Sequence, residues 1–587
     1  MTTRRSPLPF LFAFVILAAC GGDGGGDTTG TGAGASVGGQ GPGSGGNGAS
    51  GGNGGNGGNG GSGANGGGGN GGSGGGPGNG ACTYPGIPHP TDSLPGGIMP
   101  TLPTPGAVDG FPYDPCTIEP PANPSNHYVV ATDGDDATAG NGGQGTARAP
   151  RATIPEGTFG PGTVITIHGD SSPYGTVDFD MGDESDWTFN CTAAEPCFVV
   201  GVDNPRLGRR INIAGSSHLV IDGISVVDIP GGNRPWGNLR FSSSQYITLK
   251  NTEVRGDGSN SSGGSVVSIS GVEYMVTFQT QIHSAGSWDS NATGLDVHGW
   301  RPGYGNRYLW LLDSELYHLQ ADGVQTGNSN NNNPQSESSH YVFIGGNLFY
   351  ENYENALDNK NSYHVVFSSN EVHDHYPAPG ASNANGTAVI LSNNSEGPWT
   401  GYHWAINNRI WNAGLAIRDS GSEANEKNFI VGNTVWNVQT SFLQANNDLN
   451  RELWVINNTA SGSTTAFDVF QPGNSAQLFV RANIFHDAGG LDTMSQIDSS
   501  LVDNILFNSP VAGNWDTNTG NLTDDPLLAD PATGDMTPSS TSPAVDATVE
   551  DPVYALFESL YGLDIRTDLN GTARPVGAWD IGAVELP

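Results

Sequence analysis

The chain has 587 residues, of which 90 are glycine and only 21 are Lys or Arg against 58 Asp or Glu, a formal net charge of −37. So acidic a surface repels nucleic acid and anionic lipid headgroups, which argues against both as charge-driven partners; an acidic polysaccharide is repelled too unless a cation bridges it. Only three lysines occur, Lys250, Lys360 and Lys427, so the position of each is informative.

Taken in chain order, Arg4 and Arg5 precede an apolar run from Leu8 to Ala19. A bilayer span needs about 20 apolar residues, so residues 1–20 read as a signal peptide. The run ends in Leu17-Ala18-Ala19-Cys20, which resembles a bacterial lipobox. That resemblance implies acylation of Cys20 and a cell-envelope lipoprotein, at the outer membrane or cell surface, touching the membrane only through its lipid. Residues 21–81 are almost entirely Gly, Asn and Ser and have nothing to build a core from. They are expected to form a flexible tether with an r.m.s. reach of roughly 40 Å. Residues 82–125 are Pro-rich and irregular, and are expected to cover the N-terminal end of the fold, where an open β edge would invite aggregation. Residues 546–587 are expected to do the same at the other end. With Cys20 set aside, Cys82, Cys116, Cys191 and Cys197 remain, an even number in an oxidising compartment. The pairing Cys82–Cys116 and Cys191–Cys197 is the most local of the possible connectivities, and the absence of CxxC spacing argues against zinc or redox chemistry.

Residues 126–545 carry a repeat. Short β-rich runs end in an Asn and restart with an apolar residue, at Asn370, Asn408, Asn433, Asn458, Asn483 and Asn504; three of the gaps are 25 residues, one is 21, and one of 38 holds an insertion. A fixed period built from short strands means a solenoid, because no single repeat can bury its apolar face alone. No LxxLxL pattern supports a leucine-rich repeat. The predicted fold is all-β, a right-handed parallel β-helix, with turn Asn residues adopting left-handed backbone and stacking from coil to coil.

The run YVVATDGDDATAGNGGQGTARAPRATI (Tyr128 to Ile154) resembles the opening segment of pectate-lyase-like β-helix proteins, and DDPLLAD…SPAVDA…DIRTDLNGTARPVGAWDIGAVE (Asp524 to Glu585) resembles the terminal segment of secreted bacterial β-helix proteins. These likenesses imply the fold; the same scaffold serves lyases, hydrolases, epimerases and adhesins.

A second strand recurs between the Asn turns: TGLDVH (Thr293–His298), DGVQTG (Asp322–Gly327), NALDNK (Asn355–Lys360), TAVILS (Thr387–Ser392) and GLAIRD (Gly414–Asp419). Side chains alternate faces along a strand. Aligned in that order, Leu295, Val324, Leu357, Val389 and Leu415 point inward, whereas Asp296, Gln325, Asp358, Ile390 and Ala416 point out. His298, Gly327, Lys360, Ser392 and Arg418 form a parallel outward column. Neighbouring coils lie about 4.8 Å apart, so Asp296, Asp322, Glu354 and Asp358 are expected to gather beside Lys360, with Arg418 roughly 10 Å further along. Insertions after Gly327 and Asn370 are placed to wall a groove over this face. Tyr353, Tyr376, Trp399 and His298 are candidate sugar contacts, and Trp288, Trp300 and Trp404 lie nearby in sequence.

β-Elimination from a uronate needs charge neutralisation at the carboxylate and a base for the C5 proton. Oxygen-only carboxylate clusters suit Ca²⁺, and a Lys acts as base when its neighbours lower its pKa. Carboxylates beside Lys360 act the other way, so Lys360 as base and bound Ca²⁺ are expected together, with Asp296, Asp322, Glu354 and Asp358 as ligands and Lys360 and Arg418 as catalytic groups. The strings ADGVQ and YENALDNK resemble the calcium-and-lysine pectate lyases, which implies metal-ligand roles for Asp322 and Asp358. The lysine of that family lies on a later coil, where this chain has Ser392 or Asn394; chondroitinase-B-like lyases place a Lys closer to Lys360. Two further readings remain open at this point: a glycoside hydrolase using two of Asp296, Asp322 and Asp358, and a non-catalytic surface protein that binds glycans, with Lys360 in a ladder with Asp358 and Glu354.

Overall fold

The computed structural model describes residues 82–94, 108–170, 178–227, 238–256, 264–285, 297–327, 339–360, 362–375, 386–391, 401–419, 426–446, 452–470, 477–493 and 498–587. The signal peptide, Cys20 and the tether lie outside these residues. Each coil contributes a strand to each of three lateral faces. Sheet A holds fifteen parallel strands, from Asn126–Ala131 to Thr517–Thr519. Twenty-five further strands form two ladders, joined where Arg206–Ala214 pairs with both Ser225–Val227 and Leu239–Ser242. One ladder, sheet B, runs to Ile505–Phe507; the other, sheet C, runs to Val511–Gly513. The fold is the right-handed parallel β-helix that the repeat implies.

The repeat works through one corner, between sheets A and B. There the Asn433 side chain accepts from the backbone N–H of Asn408 at 2.9 Å and from its amide Nδ2 at 2.8 Å. It donates in turn to Asn458 Oδ1 at 2.9 Å and to the carbonyl of Ala405. Asn347, Asn370, Asn408, Asn458, Asn483, Asn504 and Asn521 continue the chain of bonds. Upstream the same place is taken by Ser314, whose N–H donates to Asn347 and whose hydroxyl accepts from the backbone N–H of Thr280. The ladder residues are not the left-handed ones, contrary to expectation. Positive φ falls one residue earlier, at Ser369, Asn407, Gly432, Asn457, Ala482 and Asp503. The preceding residue turns the corner, so the Asn itself keeps extended backbone and can aim its amide along the helix axis.

Inside, the three sheets share one apolar column that includes Phe189, Phe241, Trp300, Phe349, Phe367 and Phe467. A second apolar layer lies outside sheet A, and it corrects the expectation for both flanking segments. Of this segment, residues 82–94 and 108–125 run along the flank of the helix rather than over its end. Pro85 accepts a hydrogen bond from Ser368, Pro88 one from Trp310 Nε1 at 2.9 Å, and Ile118 one from Lys250 Nζ at 2.6 Å. Cys82–Cys116 ties this strap into a loop, and Cys191–Cys197 closes a tight turn after the Trp187–Phe189 rung. Further along the same flank lies the helix Pro552–Tyr561, capped by the Asp551 side chain on Val553 N–H and ended by left-handed Gly562. Phe557 and Tyr561 pack on Trp404, and Tyr554 donates to Asn457 Oδ1 at 3.0 Å. The outer face of sheet A carries Trp310, Phe343, Trp404 and Phe429, all fully buried. Leaving that much apolar area in water would cost more than ordering a strap and one helix over it.

Candidate functional site

Sheets A and B are partly covered or aromatic on their outer faces; sheet C carries the polar cluster. Its register departs from the sequence alignment at two places. Trp300, not Leu295, pairs with Val324. The following steps agree with expectation: Val324 with Leu357, Gln325 with Asp358, Thr326 with Asn359, and Asp358 with Ile390. Val389 then pairs with Ile417 rather than Leu415, which puts Arg418 beside Ile390.

The first shift has a steric cause. His298-Gly299-Trp300 stacks on Asp322-Gly323-Val324, glycine on glycine, at the corner where sheet C begins. A Cβ on Gly299 would stand 2.6 Å from the carbonyl oxygen of Gly323, and one on Gly323 would stand 2.8 Å from the Phe349 ring. Ala356 and Ala388 take the same place on the next rungs. That column of small residues was legible in the sequence as HGW, DGV and NAL, and it fixes the register better than the apolar pattern does. The second shift moves Arg418 from the Lys360 column to the Asp358 column. Ala416, expected to face out, is fully buried in the core.

Three rungs therefore bring together His298, Asp322, Gln325, Asn355, Asp358 and Lys360. Asp322 is wholly buried. Its carboxylate stands 3.0 Å from His298 Nδ1 and accepts from Asn355 Nδ2 at 2.6 Å and from Gln325 Nε2 at 3.3 Å. Burial pushes the acid upward, but His298, the charge on Lys360 and the Asn355 amide outweigh it and hold Asp322 below the usual carboxylate range. Asp358, also buried, goes the other way: burial raises it, and the Asp322 charge adds to the rise against the pull of Lys360. Lys360 Nζ touches Asp358 Oδ2. Burial opposes its charge, but Asp358, Asp322 and Glu354 win and push Lys360 above the ordinary lysine range. The half-buried Lys360 is thus the point at which a buried chain of charges reaches the surface.

The described members of the expected ligand set, Asp322, Glu354 and Asp358, do not converge as a metal centre. Asp296 lies outside the described residues. Asp322 spends its oxygens on His298, Asn355 and Gln325, and Lys360 already stands as the counter-cation of Asp358. Among the described residues, no three His, Cys, Asp or Glu side chains converge as metal ligands. As they pair among the described residues, these oxygens do not converge on a cation position, and the carboxylates push Lys360 above the ordinary lysine range. Lys360 is placed to act as a cation rather than as the base.

Of the expected sugar contacts, Tyr376 and Trp399 lie outside the described residues, as do Trp288 and Ser392. Tyr353 and Glu354 are half-buried at the turn that leads into the Asn355 strand. His298 serves Asp322 instead. Trp300 and Trp404 are fully buried and structural, the first donating to Thr277 Oγ1 at 3.2 Å. Arg301, which the sequence reading passed over, stands next to Trp300 on the outward face.

These observations define the protein as a right-handed parallel β-helix with a charged site on the outer face of one sheet. No family model matches the chain, and no curated protein matches its sequence. Among solved structures, pectate lyase Pel9A is similar over 79% of this chain and 97% of its own, at 11% identity and a TM-score of 0.37. A PL6 family polysaccharide lyase from Pseudopedobacter saltans is similar over 65% of this chain and 93% of its own, at 12% identity and 0.38. A GH136 lacto-N-biosidase from Eubacterium ramulus is similar over 68% of each, at 12% identity and 0.36. Likeness at this level concerns the course of the backbone and leaves the chemistry to the residues.

Proposed function

We propose that the protein is a polysaccharide lyase of the cell envelope that cleaves a uronate-containing glycan on the outer face of sheet C, with Asp358 and Lys360 at its centre. The observation that carries this reading is the Lys360–Asp358 contact. It joins a protonated lysine to a buried carboxylate of raised proton affinity, and opposed environments of this kind mark acid–base sites. The Lys360 ammonium meets the sugar carboxylate and stabilises the charge that grows on it as the C5–H bond breaks. Asp358, a stronger base than an ordinary aspartate, takes the C5 proton. The electron pair forms the C4–C5 double bond, the C4–O4 bond breaks, and the departing oxygen takes a proton from solvent. Asp322, His298 and Asn355 position the pair and hold a fixed negative charge beneath Lys360. This account uses Lys360 as an electrophile and needs no Ca²⁺.

The opposite displacements of Asp322 and Asp358 favour a second reading, glycoside hydrolysis by a carboxylate pair. Asp322 is held by His298, Asn355 and Gln325, whereas Asp358 contacts Lys360, which reaches the surface, so elimination is preferred. Incubation of the full chain with pectate, alginate, chondroitin and hyaluronan separates the readings. A rise in ultraviolet absorbance from the unsaturated product, lost in Lys360→Gln, supports elimination. Reducing ends without absorbance move the case to hydrolysis. Silence in both channels with retained binding would leave a glycan-binding surface protein.

A further inference from the structure

The Asp358 column extends well beyond the reacting rung, and its charges alternate. In-register pairing links Arg240 to Ser268, Ser268 to Arg301, Gln325 to Asp358, Asp358 to Ile390 and Ile390 to Arg418. Trp300 pairs with Val324, so Arg301 and Gln325, one residue further on each strand, are neighbours too. Counting rungs from Arg240, a basic side chain stands on the first, third and seventh, and Lys360 flanks the column on the fifth. The second, fourth and sixth rungs carry Ser268, Gln325 and Ile390, none of them charged. Arg240, Arg301, Lys360 and Arg418 are all half-buried, none withdrawn into the core.

Two facts make this more than coincidence. With 21 basic against 58 acidic residues, three arginines on alternate rungs of one column, and Lys360 beside the rung of Asp358 between them, run against the composition. The pattern also has ends. Before Arg240 the column carries Asn212 and then Asp186, and after Arg418 it carries Gln444 and then Asp468. The basic stretch is thus bounded by acidic rungs on both sides, with about 29 Å between the first and last arginine at about 4.8 Å per rung.

We infer that this column selects a linear polysaccharide with an acidic sugar at every second position, an alternating copolymer of a uronate and an uncharged sugar, lying along the helix axis. The inference rests on the proposed reaction at Lys360 and specifies its substrate. A pyranose in an extended chain advances by about the distance of one rung, so a charge on alternate sugars meets a cation on alternate rungs. The intervening sugars lie over Ser268, the rung of the buried Gln325, and Ile390. A homopolymer of uronates would press a carboxylate against Gln325 and Ile390, where no cation answers it, and leave half its charges uncompensated in the field of an acidic protein.

Binding, measured apart from turnover, tests this. Titration calorimetry of the full chain carrying Asp358→Asn, with hyaluronan decasaccharide and with a decamer of galacturonate at equal ionic strength, should show the alternating oligosaccharide bound about tenfold more tightly. Arg301→Gln and Arg418→Gln should each weaken hyaluronan binding by about fivefold, the share of one half-exposed ion pair, with the melting temperature read alongside as the control for folding. Ile390→Lys, which fills an uncharged rung, should improve galacturonate binding and not that of hyaluronan. Equal or tighter binding of the galacturonate decamer overturns the inference, as does indifference to the arginine changes or no saturable binding of either ligand. Selective binding of the alternating chain without elimination by the unsubstituted protein would sink the proposed reaction and leave the spacing rule standing. Elimination on galacturonate with no preference in binding would do the reverse.

Discussion

His298 Nδ1 and Asp322 Oδ2 face each other at 3.0 Å across neighbouring strands of sheet C, with both side chains shut off from solvent. Neither residue touches the surface, yet the pair sets the charge beneath Lys360. Burying a carboxylate is costly unless a partner compensates it. His298→Ala removes that partner and leaves the acid with two amides. The expected loss is about 3 kcal/mol of stability, read as a fall in the unfolding temperature, and His298→Gln, which restores a donor, should recover part of it.

A different histidine contributes to the response to acid. Burial and the neighbouring His373 hold His375 down to about 4, against 6.5 for an ordinary imidazole. Its side chain is wholly buried where sheet B turns toward sheet C. Above pH 6.5 both folded and unfolded chains keep it neutral. Below that the unfolded chain binds a proton that the folded one refuses, so stability falls as the pH drops from 6.5 toward 4. The contribution is about 3 kcal/mol. Melting temperatures across this window should decline in the natural protein and decline less in His375→Leu, which matches Leu319 on an earlier coil.

The two amide ladders differ in depth, and their variants should differ in cost. Asn433 is fully buried; its side chain satisfies backbone groups of two coils and also bonds the Asn458 amide. Asn412 is half-buried and bonds to the side chains of Asp374 and Asn437. Asn433→Ala strands several buried groups at about 1–3 kcal/mol each, whereas Asn412→Ala should cost under about 1 kcal/mol. Urea titrations of the two variants check the contrast.

The helix over sheet A offers a test of the flank. Phe557 is fully buried, edge-on to Trp404 with ring centroids 4.7 Å apart. Phe557→Ala should cost about 3–5 kcal/mol. It should also bare an apolar strip that binds a hydrophobic dye before global unfolding. A variant that melts as a single transition with no dye uptake would show the helix to be an integral part of the coil stack.

Much of the scaffold was legible because a solenoid writes one environment many times. The Asn spacing from Asn370 to Asn504 marked the corner, although Ser314 hid its upstream half by using a hydroxyl for the same task. The site was legible in part. Asp322, Asp358 and Lys360 emerged from strand alternation alone, since the step from DGVQTG to NALDNK keeps register. His298 was placed in the Lys360 column rather than beside Asp322, because the apolar residues of TGLDVH fit the pattern as well as those of HGW do, and only close glycine packing decides between them. The course of residues 82–94 and 108–125 was not legible. Its contacts span more than 200 residues in sequence, as Pro88 to Trp310 shows, and no local pattern encodes them.

The proposed chemistry makes the pH dependence of turnover asymmetric. Asp358 must be ionised to act as base, and its acidity is weakened by burial and by Asp322. The rate should therefore fall on the acid side at a higher pH than a solvent-exposed aspartate would give. Lys360, held protonated by the carboxylates, adds no loss at neutral pH. The acid limb should shift downward in Asp322→Asn, which removes the neighbouring charge.

The central claim is that elimination runs on Asp358 and Lys360 without a divalent cation. The most direct test follows absorbance of the unsaturated product from hyaluronan, using full chain stripped with chelator and assayed in chelator, beside Asp358→Asn and Lys360→Gln. Undiminished turnover in chelator, with both variants slower by at least about a hundredfold, is the expected result. Turnover that vanishes in chelator and returns with Ca²⁺, or that survives in Asp358→Asn, would contradict it.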